Sequence, residues 1–246
     1  MFQNSILWEQ PPADLRLSLN EVHIWRGELD LPAPQIDDLG ETLSADECDR
    51  AKRFYFERDR QRFIAGRGML RNILSRYLGI APNQIEFCYG KRGKPALRNE
   101  SICFNLSHSQ GLALYAITLD RIVGIDLEQV RSMPDAEAIA KSFFSQREYA
   151  VLQGMPTNEK QAAFLNCWTR KEAFLKAIGD GLYKPLDQIE VSFLPDEPAR
   201  LLSIAGDVES ASRWSILHLI PAAGYVGALA IEGESFSLSH WQWSPE

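Results

Sequence analysis

The chain has 246 residues, of which 45% are hydrophobic and 24% charged, with 16 glycines and 13 prolines. Domains usually have about 100 to 200 residues, so this length predicts one large or two small domains, and the composition excludes a disordered, collagen-like or low-complexity chain. The 26 basic and 33 acidic residues give a net charge of −7, which argues against a general nucleic-acid-binding protein but allows a local basic pocket.

Neither a targeting segment nor a cysteine-based metal site is expected. Residues 1–9 lack a cationic start and a long apolar run, and no stretch reaches transmembrane length. The cysteines at positions 48, 88, 103 and 167 are too far apart for structural zinc, so we expect reduced core thiols. These features predict a cytoplasmic protein without a membrane partner.

The chain begins with a predicted strand, a loop and two helical stretches. Alternating apolar residues indicate a strand at Val22–Glu28, and prolines with a glycine over residues 32–40 indicate a loop. Residues 44–47 match the capping-box pattern, which predicts the start of a helical run over Cys48–Glu57. Apolar residues at helical spacing then predict a long amphipathic helix over Asp59–Leu78.

Further strands and a second long helix follow. Helical spacing returns after Pro134 and ends in a long helix over Glu159–Ile178. Strand patterns occupy Ile85–Tyr89, Cys103–Leu106, Leu112–Thr118, Val123–Glu128, Ile189–Leu194, Trp214–Leu219, Val226–Ile231 and Ser237–Trp241. Each half thus runs through strand, helices and strands. We therefore predict an α+β fold of two similar halves, residues 1–121 and 122–246, with a seam near residues 120–124.

Two acidic residues share one face of the predicted strand at the seam. Asp126 and Glu128 are two apart, so their side chains point the same way, while Ile125 and Leu127 point into the core. Neighbouring carboxylates repel each other unless a cation lies between them, and a hard divalent ion would serve. From the pattern alone, a solvated strand face is an equal alternative.

An acid and a lysine lie one turn apart on the second long helix. Trp168, Glu172 and Lys176 are spaced four residues apart and fall on one helix face. Taken alone, this pattern favours an ordinary surface Glu–Lys pair. It would also suit a metal beside a phosphate, with the acid on the ion and the ammonium on a phosphate oxygen.

A hydroxyl and an imidazole stand together at a strand end, at Ser107 and His108. The chain lacks the Gly-x-Ser-x-Gly pattern, so a hydrolase triad is not supported. His108 could be a structural histidine, which is the commoner case. Alternatively, both side chains could donate hydrogen bonds to a phosphate.

Basic residues cluster in the first half of this acidic chain. The cluster contains Arg50, Lys52, Arg53, Arg62, Arg67, Arg71, Lys91, Arg92 and Lys94. Such clustering suggests a polyanion site. Solvated helix faces are the alternative, and we prefer it for Arg53, Arg67 and Arg71. The sequence has neither a Walker P-loop nor a Gly-x-Gly-x-x-Gly pattern after a strand.

Taken together and in this order, these pieces resemble the Sfp-type 4'-phosphopantetheinyl transferases over about residues 44–190. The resemblance is carried by the Gly93–Pro95 turn, Asn105–Ser109, Gly124–Glu128 and Trp168–Lys176. It implies a pseudo-twofold monomer of two α+β halves with the site in the cleft between them. It also implies transfer of the phosphopantetheine arm of coenzyme A to a serine of an apo acyl or peptidyl carrier protein, releasing adenosine 3',5'-bisphosphate.

The resemblance also implies roles for individual residues. Asp126, Glu128 and Glu172 match the ligands of a magnesium ion, and Glu172 matches the general base for the carrier serine. In the second half, Lys176 matches a lysine on the pyrophosphate. The coenzyme A phosphates would be held mainly from the first half, by Lys94, Ser107 and His108, with Arg50 and Arg62 near the nucleotide. Glu47 departs from the family pattern, because some members have a basic residue there for the 3'-phosphate.

Two other hypotheses stay open at this point. One is a coenzyme A or nucleotide-binding module that has kept the fold but not turnover. The other is an unrelated magnesium-dependent phosphatase or nucleotidyl enzyme, which would hydrolyse nucleotides without a carrier protein. The presence of all four residues Asp126, Glu128, Glu172 and Lys176 argues against the binding module.

Overall fold

The computed structural model of the protein describes residues 6–98, 101–179, 185–195 and 197–245. The expectation about a targeting segment concerned residues 1–9, and residues 1–5 of these lie outside the described residues. The helices are α1 (Ala33–Gly40), α2 (Ala45–Ala51), α3 (Glu57–Leu78), α4 (Ala136–Phe143), α5 (Gln146–Gly154), α6 (Thr157–Ile178) and α7 (Val208–Ser212). The strands are β1 (Glu21–Glu28), β2 (Phe87–Tyr89), β3 (Pro95–Leu97), β4 (Ile102–Ser109), β5 (Leu112–Leu119), β6 (Val123–Gln129), β7 (Ile189–Val191), β8 (Leu201–Ile204), β9 (Trp214–Leu219), β10 (Tyr225–Glu232) and β11 (Ser237–Gln242).

Two sheets form the frame of the protein. The first has the strand order β11-β1-β5-β4, and the second has the order β6-β10-β9. Strand β1 pairs parallel with β11 and antiparallel with β5, and β6 pairs antiparallel with β10. The short pairs β2-β3 and β7-β8 lie outside these two sheets.

Each sheet has a long helix on one face and the other sheet on the opposite face. Leu70 of α3 packs in one core with Trp25 of β1, and α6 packs in a second core against β10. The next residue toward the N-terminus on β1, Ile24, points the other way and joins Ile125 of β6 in a third core between the sheets. This alternation is the period-two pattern of strands. The predicted α+β fold of two halves is confirmed.

The C-terminal strand crosses between the halves. Strand β11 comes from the predicted second half, yet it pairs with β1 of the first sheet, with Ser237 opposite Glu21 and Gln242 opposite Arg26. Strand β6 begins directly after the predicted seam and opens the second sheet. The division into residues 1–121 and 122–246 stays a prediction, and β11 does not follow it.

The predicted loop over residues 32–40 was wrong, because it contains α1. Pro32 caps this helix and Pro34 lies in its first turn. Proline is tolerated there, since the first-turn amides have no partner within the helix. Burial of Ile36 and Leu39 then stabilises a helix that the proline and glycine content had obscured.

Other predicted boundaries shift by a few residues. The capping box at Ser44 is present, but α2 ends at Ala51, so the helical run predicted to Glu57 was too long. Strand β7 ends at Val191 rather than Leu194. The short elements β3, β8 and α7 were not predicted.

The structure also bears on the membrane and cysteine expectations. Within the described residues, every helix is too short or too polar to cross a bilayer. All four cysteines are free, as expected, but only Cys167 is buried. The other three are half-buried, so they are not core thiols.

Candidate active site

A glycine lets α6 lie directly on β6. A Cβ atom added to Gly124 would overlap the carbonyl oxygen of Ala173 and the backbone nitrogen of Ala177. Any larger residue would therefore push the helix away from the strand. This close contact brings the helix face with Glu172 and Lys176 to the acidic end of β6.

The buried carboxylate of Asp126 lies at the centre of this contact. Its Oδ1 accepts hydrogen bonds from Lys176 Nζ at 2.6 Å and from Ser107 Oγ at 3.0 Å. Among the described residues, its buried Oδ2 has no hydrogen-bond partner, and neither has the buried Oε1 of Glu172. Burying carboxylate oxygens without donors is costly, and a ligand that supplies positive charge would offset that cost.

The acids of β6 and α6 influence one another's ionisation. Burial, and then the negative charge of Asp126, raise the pKa of Glu172 to about 7, although Lys176 opposes this shift. The same two causes raise the pKa of Glu128. Lys176 opposes the raised pKa of both glutamates, and Arg131 also opposes that of Glu128. Three neighbouring carboxylates therefore outnumber the one lysine that pairs with Asp126.

These residues suit a hard divalent cation, which prefers oxygen ligands. Asp126, Glu128 and Glu172 offer carboxylate oxygens, and two of those oxygens have no donor within the described part of the chain. Among the described residues, no group of three or more His, Cys, Asp or Glu side chains is already arranged as a ligand set. The ammonium of Lys176 contacts the carboxylate of Asp126.

Ser107 and His108 are neighbours on β4 and point in opposite directions. Ser107 is buried against β6, whereas His108 is exposed. The protein atoms packed around the imidazole lower the pKa of His108, and the cations Lys176, Arg50 and Arg62 lower it further. The resemblance implied coenzyme A contacts for all four residues, and these three cations are near enough to His108 to influence its ionisation.

Arg50 and Arg62 differ in whether an acidic side chain pairs with them. Arg50 is exposed on α2, with its guanidinium 5.3 Å from the ring centroid of Phe63. Arg62 makes two hydrogen bonds to Asp30, at 2.6 and 2.7 Å. The charge of Arg62 is therefore already matched by an acid, while Arg50 faces solvent.

Lys94 reaches from the β2–β3 turn to the end of α6. Its Nζ donates to the carbonyl of Ala177 at 2.7 Å and to that of Val123 at 3.2 Å. Cations stabilise the carbonyl end of a helix. Burial lowers the pKa of Lys94 to about 8. The lysine expected to hold a phosphate thus links the two halves in this structure.

Glu47, the departure from the family pattern, belongs to a buried ion cluster. It pairs with Arg71 at 2.7 Å and with Arg67 at 3.3 Å. The prediction that Arg67 and Arg71 lie on solvated helix faces was wrong, because they are only 8% and 1% exposed. The carboxylate and the backbone carbonyls of Pro82 and Ile85 compensate for burying Arg71. Arg53 is exposed, as predicted.

Several structural partners of the site were missed in the sequence. Lys171, next to Glu172, is completely buried and pairs with Glu148 at 2.5 Å. The capping-box pattern of Ser145 and Glu148 was visible in the sequence and could have marked this acid as ordered. Asn105 and Ser109 of β4 also bind β6, and their period-two spacing with Ser107 was the available signal.

Comparisons with known proteins agree with the resemblance noted in the sequence. The model of the 4'-phosphopantetheinyl transferase superfamily matches residues 122–230, and that of the N-terminal part of 4'-phosphopantetheinyl transferases matches residues 32–119. The 4'-phosphopantetheinyl transferase HetI of Nostoc sp. is 47% identical over 240 residues, which cover 96% of this chain and 98% of that protein.

Two Bacillus enzymes are also similar. The 4'-phosphopantetheinyl transferase psf-1 of Bacillus pumilus is 35% identical over 68% of this chain and 71% of that protein. The corresponding values for the 4'-phosphopantetheinyl transferase Sfp of Bacillus subtilis are 32%, 63% and 68%. The chain belongs to the 4'-phosphopantetheinyl transferase superfamily.

Proposed function

We propose that the chain carries out its family's reaction, the transfer of the 4'-phosphopantetheine arm of coenzyme A to a serine of an apo carrier protein, by means of a magnesium ion. As a member of this family it is a transferase. One observation carries the magnesium site. Asp126 Oδ2 and Glu172 Oε1, from separate parts of the chain, lack hydrogen-bond partners among the described residues, and Lys176 pairs with Asp126 beside them.

Asp126, Glu128 and Glu172 would hold the magnesium ion, because carboxylate oxygens are ligands that it prefers. When bound, the ion would supply positive charge to offset the negative charge that develops on the leaving group. The raised pKa values of Glu172 and Glu128 are consistent with this assignment, because burial, and then the charge of Asp126, disfavours the ionised carboxylates, and a bound cation would offset both effects.

Glu172 is the proposed general base for the carrier serine. One carboxylate oxygen of Glu172 lacks a hydrogen-bond partner among the described residues, so it has room to accept a proton. It would take the serine proton directly or through a water molecule. A positioned base typically contributes about 10² to 10⁴ in rate.

Lys176 is proposed to stabilise the leaving adenosine 3',5'-bisphosphate. Its ammonium now contacts Asp126 and Ser107 at 2.6 and 2.8 Å. Once other positive charge balances Asp126, the ammonium is released to a pyrophosphate oxygen. Electrostatic stabilisation of such developing charge is a major source of rate enhancement.

Among the residues proposed to contact the coenzyme A phosphates, Arg50 and His108 are the most exposed to solvent. Lys94, Ser107 and Arg62 remain proposed contacts, although each now has protein partners. For them to bind a phosphate, those hydrogen bonds must rearrange or be shared. We further propose that the chain acts as a cytoplasmic monomer on an apo acyl or peptidyl carrier protein.

The test is the mass of an apo carrier protein incubated with the chain, coenzyme A and magnesium. We expect a gain equal to the arm for at least one member of a panel of acyl and peptidyl carriers, and no gain with Asp126→Ala. Tight binding of coenzyme A without any product would favour the binding-module hypothesis. Nucleotide hydrolysis without a carrier would favour the hydrolase or nucleotidyl hypothesis.

A further inference from the structure

The edges of the two sheets meet at β4 and β6. Strand β4 ends the first sheet and β6 ends the second, and both strands are described in full. An edge strand presents N–H groups that have no partner in its own sheet, and buried N–H groups need one. Ile125 and Leu127 of β6 are 0% and 1% exposed, so water cannot serve there.

Side chains of β4 supply the missing partners. The bonds run from the amides of Ile125, Leu127 and Gln129 to Asn105 Oδ1, Ser107 Oγ and Ser109 Oγ, at 2.8, 3.2 and 3.1 Å. Both sets of residues are spaced two apart, so each set lies on one side of its strand. We call Asn105, Ser107 and Ser109 the side-chain ladder.

Two members of the side-chain ladder also bind the acids of β6. Ser107 Oγ donates to Asp126 Oδ1 at 3.0 Å, and Ser109 Oγ donates to Glu128 Oε2 at 3.0 Å. A hydroxyl has one proton and two lone pairs, so it can accept from an amide and donate to a carboxylate together. Each serine thus joins an amide to the carboxylate of the residue before it.

Asn105 lacks this second role. The residue before its amide partner Ile125 is Gly124, which has no side chain. Asn105 therefore ties β4 to β6 as the serines do, but it binds no acid. The side-chain ladder thus contains its own internal control.

We propose that Ser109 is a positioning residue that fixes the Glu128 carboxylate to the backbone of β6 and so prepares the acidic site for a divalent cation. This inference rests on the proposed function, since it takes Glu128 as a cation ligand. Ser107 does the same for Asp126, but it also accepts from Lys176 and is a proposed phosphate contact. Ser109 is therefore the cleaner position to test.

The experiment compares Ser109→Ala, Ser109→Thr and Asn105→Ala with the unaltered chain. Magnesium binding is measured by titration calorimetry without coenzyme A or carrier, and amide hydrogen exchange is measured on the metal-free proteins. Removing a hydrogen-bond partner of a metal ligand typically weakens metal binding about 10- to 100-fold. We therefore expect Ser109→Ala to weaken magnesium binding by about tenfold or more. Ser109→Thr keeps the hydroxyl, so its magnesium affinity should match that of the unaltered chain.

Asn105→Ala should instead increase exchange at the Ile125 amide and leave magnesium affinity within about twofold of the unaltered chain, because Asn105 binds no ligand residue. If that variant does not fold, Asn105→Ser takes its place. Equal losses of affinity in Ser109→Ala and Asn105→Ala would overturn the inference, as would no loss in Ser109→Ala or no magnesium binding at all.

The two proposals fail in different ways. If Ser109→Ala binds magnesium and transfers the arm as well as the unaltered chain does, the inference is wrong and the proposed function stands. If the unaltered chain binds magnesium and Ser109→Ala weakens that binding, but the chain modifies no carrier, the proposed reaction is wrong and the role of Ser109 stands.

Discussion

Two lysines of α6, five residues apart, each pair with a carboxylate, but their surroundings are opposite. Lys171 is fully buried and pairs with Glu148. Lys176 is 28% exposed in its side chain and pairs with Asp126. The pairs have the same charges and both lysines lie on α6, so the difference between the pairs comes from their other neighbours.

The Lys171–Glu148 pair has no excess charge, and its polar atoms have hydrogen-bond partners. Lys171 also donates to the carbonyl of Leu186 at 2.9 Å, and Glu148 accepts from the amides of Ser145 and Val191 at 2.8 and 3.0 Å. One positive and one negative charge meet, and the remaining polar atoms have partners. Such a pair holds α5, α6 and β7 together and has no capacity left for a ligand.

The Lys176–Asp126 pair is unbalanced. Glu128 and Glu172 add negative charge, and no donor in the described part of the structure reaches Asp126 Oδ2 or Glu172 Oε1. This arrangement costs stability in the absence of a ligand and leaves binding capacity for one. Within the described residues Glu47 Oε1 of the buried arginine cluster also lacks a hydrogen-bond partner, so one unpaired oxygen does not mark a site. The excess of acidic groups around Lys176, rather than burial of charge, distinguishes the candidate site from a structural ion pair.

The largest expected effect comes from breaking the balanced pair. Lys171→Met leaves Glu148 buried without its cation, which typically costs about 3 to 5 kcal/mol in the free energy of unfolding. Denaturant unfolding with magnesium chelated measures this loss. Lys176→Met is the matched control and should cost less than about 2 kcal/mol, because its surroundings are partly open to solvent. Equal losses in the two variants would contradict the comparison.

At the Lys176–Asp126 site, a substitution is expected to increase rather than decrease the stability of the metal-free protein. Glu172→Gln removes the proposed base, so the transfer rate should fall at least about 100-fold. The same change removes a repelled carboxylate, so the metal-free protein should become more stable at pH 8 by about 1 to 3 kcal/mol, a range that allows for its partial exposure. A rate assay and denaturant unfolding test these two effects separately. A variant that loses both activity and stability would indicate a structural role instead.

The stability gain of Glu172→Gln should depend on pH in a specific direction. The pKa of Glu172 is raised from an ordinary 4.5 to about 7. Between those values the folded protein keeps a proton that the unfolded chain has lost, so stability falls as the pH rises. The advantage of the variant should therefore be small near pH 4, grow through pH 7 and level off above it. An advantage that does not change between pH 4 and pH 8 would contradict this ionisation.

Local sequence signals predicted much of the fold. Both long helices end at glycines with positive φ, Gly79 at 68° and Gly179 at 75°, and their apolar spacing was regular. The strands of the two main sheets alternate or are continuously apolar, and they were all found. Helix α1 was missed because its stability comes from burial of Ile36 and Leu39 by residues distant in the chain.

The candidate site was predictable only in part, for a related reason. The pattern of Asp126, Glu128, Glu172 and Lys176 matched a known family, and their convergence depends on one visible residue, Gly124. Pairing between distant charges leaves no comparable local signal. The buried cluster of Glu47 with Arg67 and Arg71, and the attachment of Lys94 to the end of α6, could therefore not be read from spacing.

The smallest expected effect concerns an exposed arginine near the Lys176–Asp126 site. Arg50 and Arg53 are exposed and line one cavity, but only Arg50 contributes to lowering the pKa of His108. An exposed charge pair is worth up to about 1 kcal/mol, so Arg50→Ala should raise the KM for coenzyme A by about fivefold without changing the melting temperature. Arg53→Ala should leave the KM unchanged. Because salt screens exposed charges, the difference between the variants should shrink at high ionic strength. Steady-state kinetics at low and high salt measure it, and equal effects of the two substitutions would remove Arg50 from the proposed nucleotide contacts.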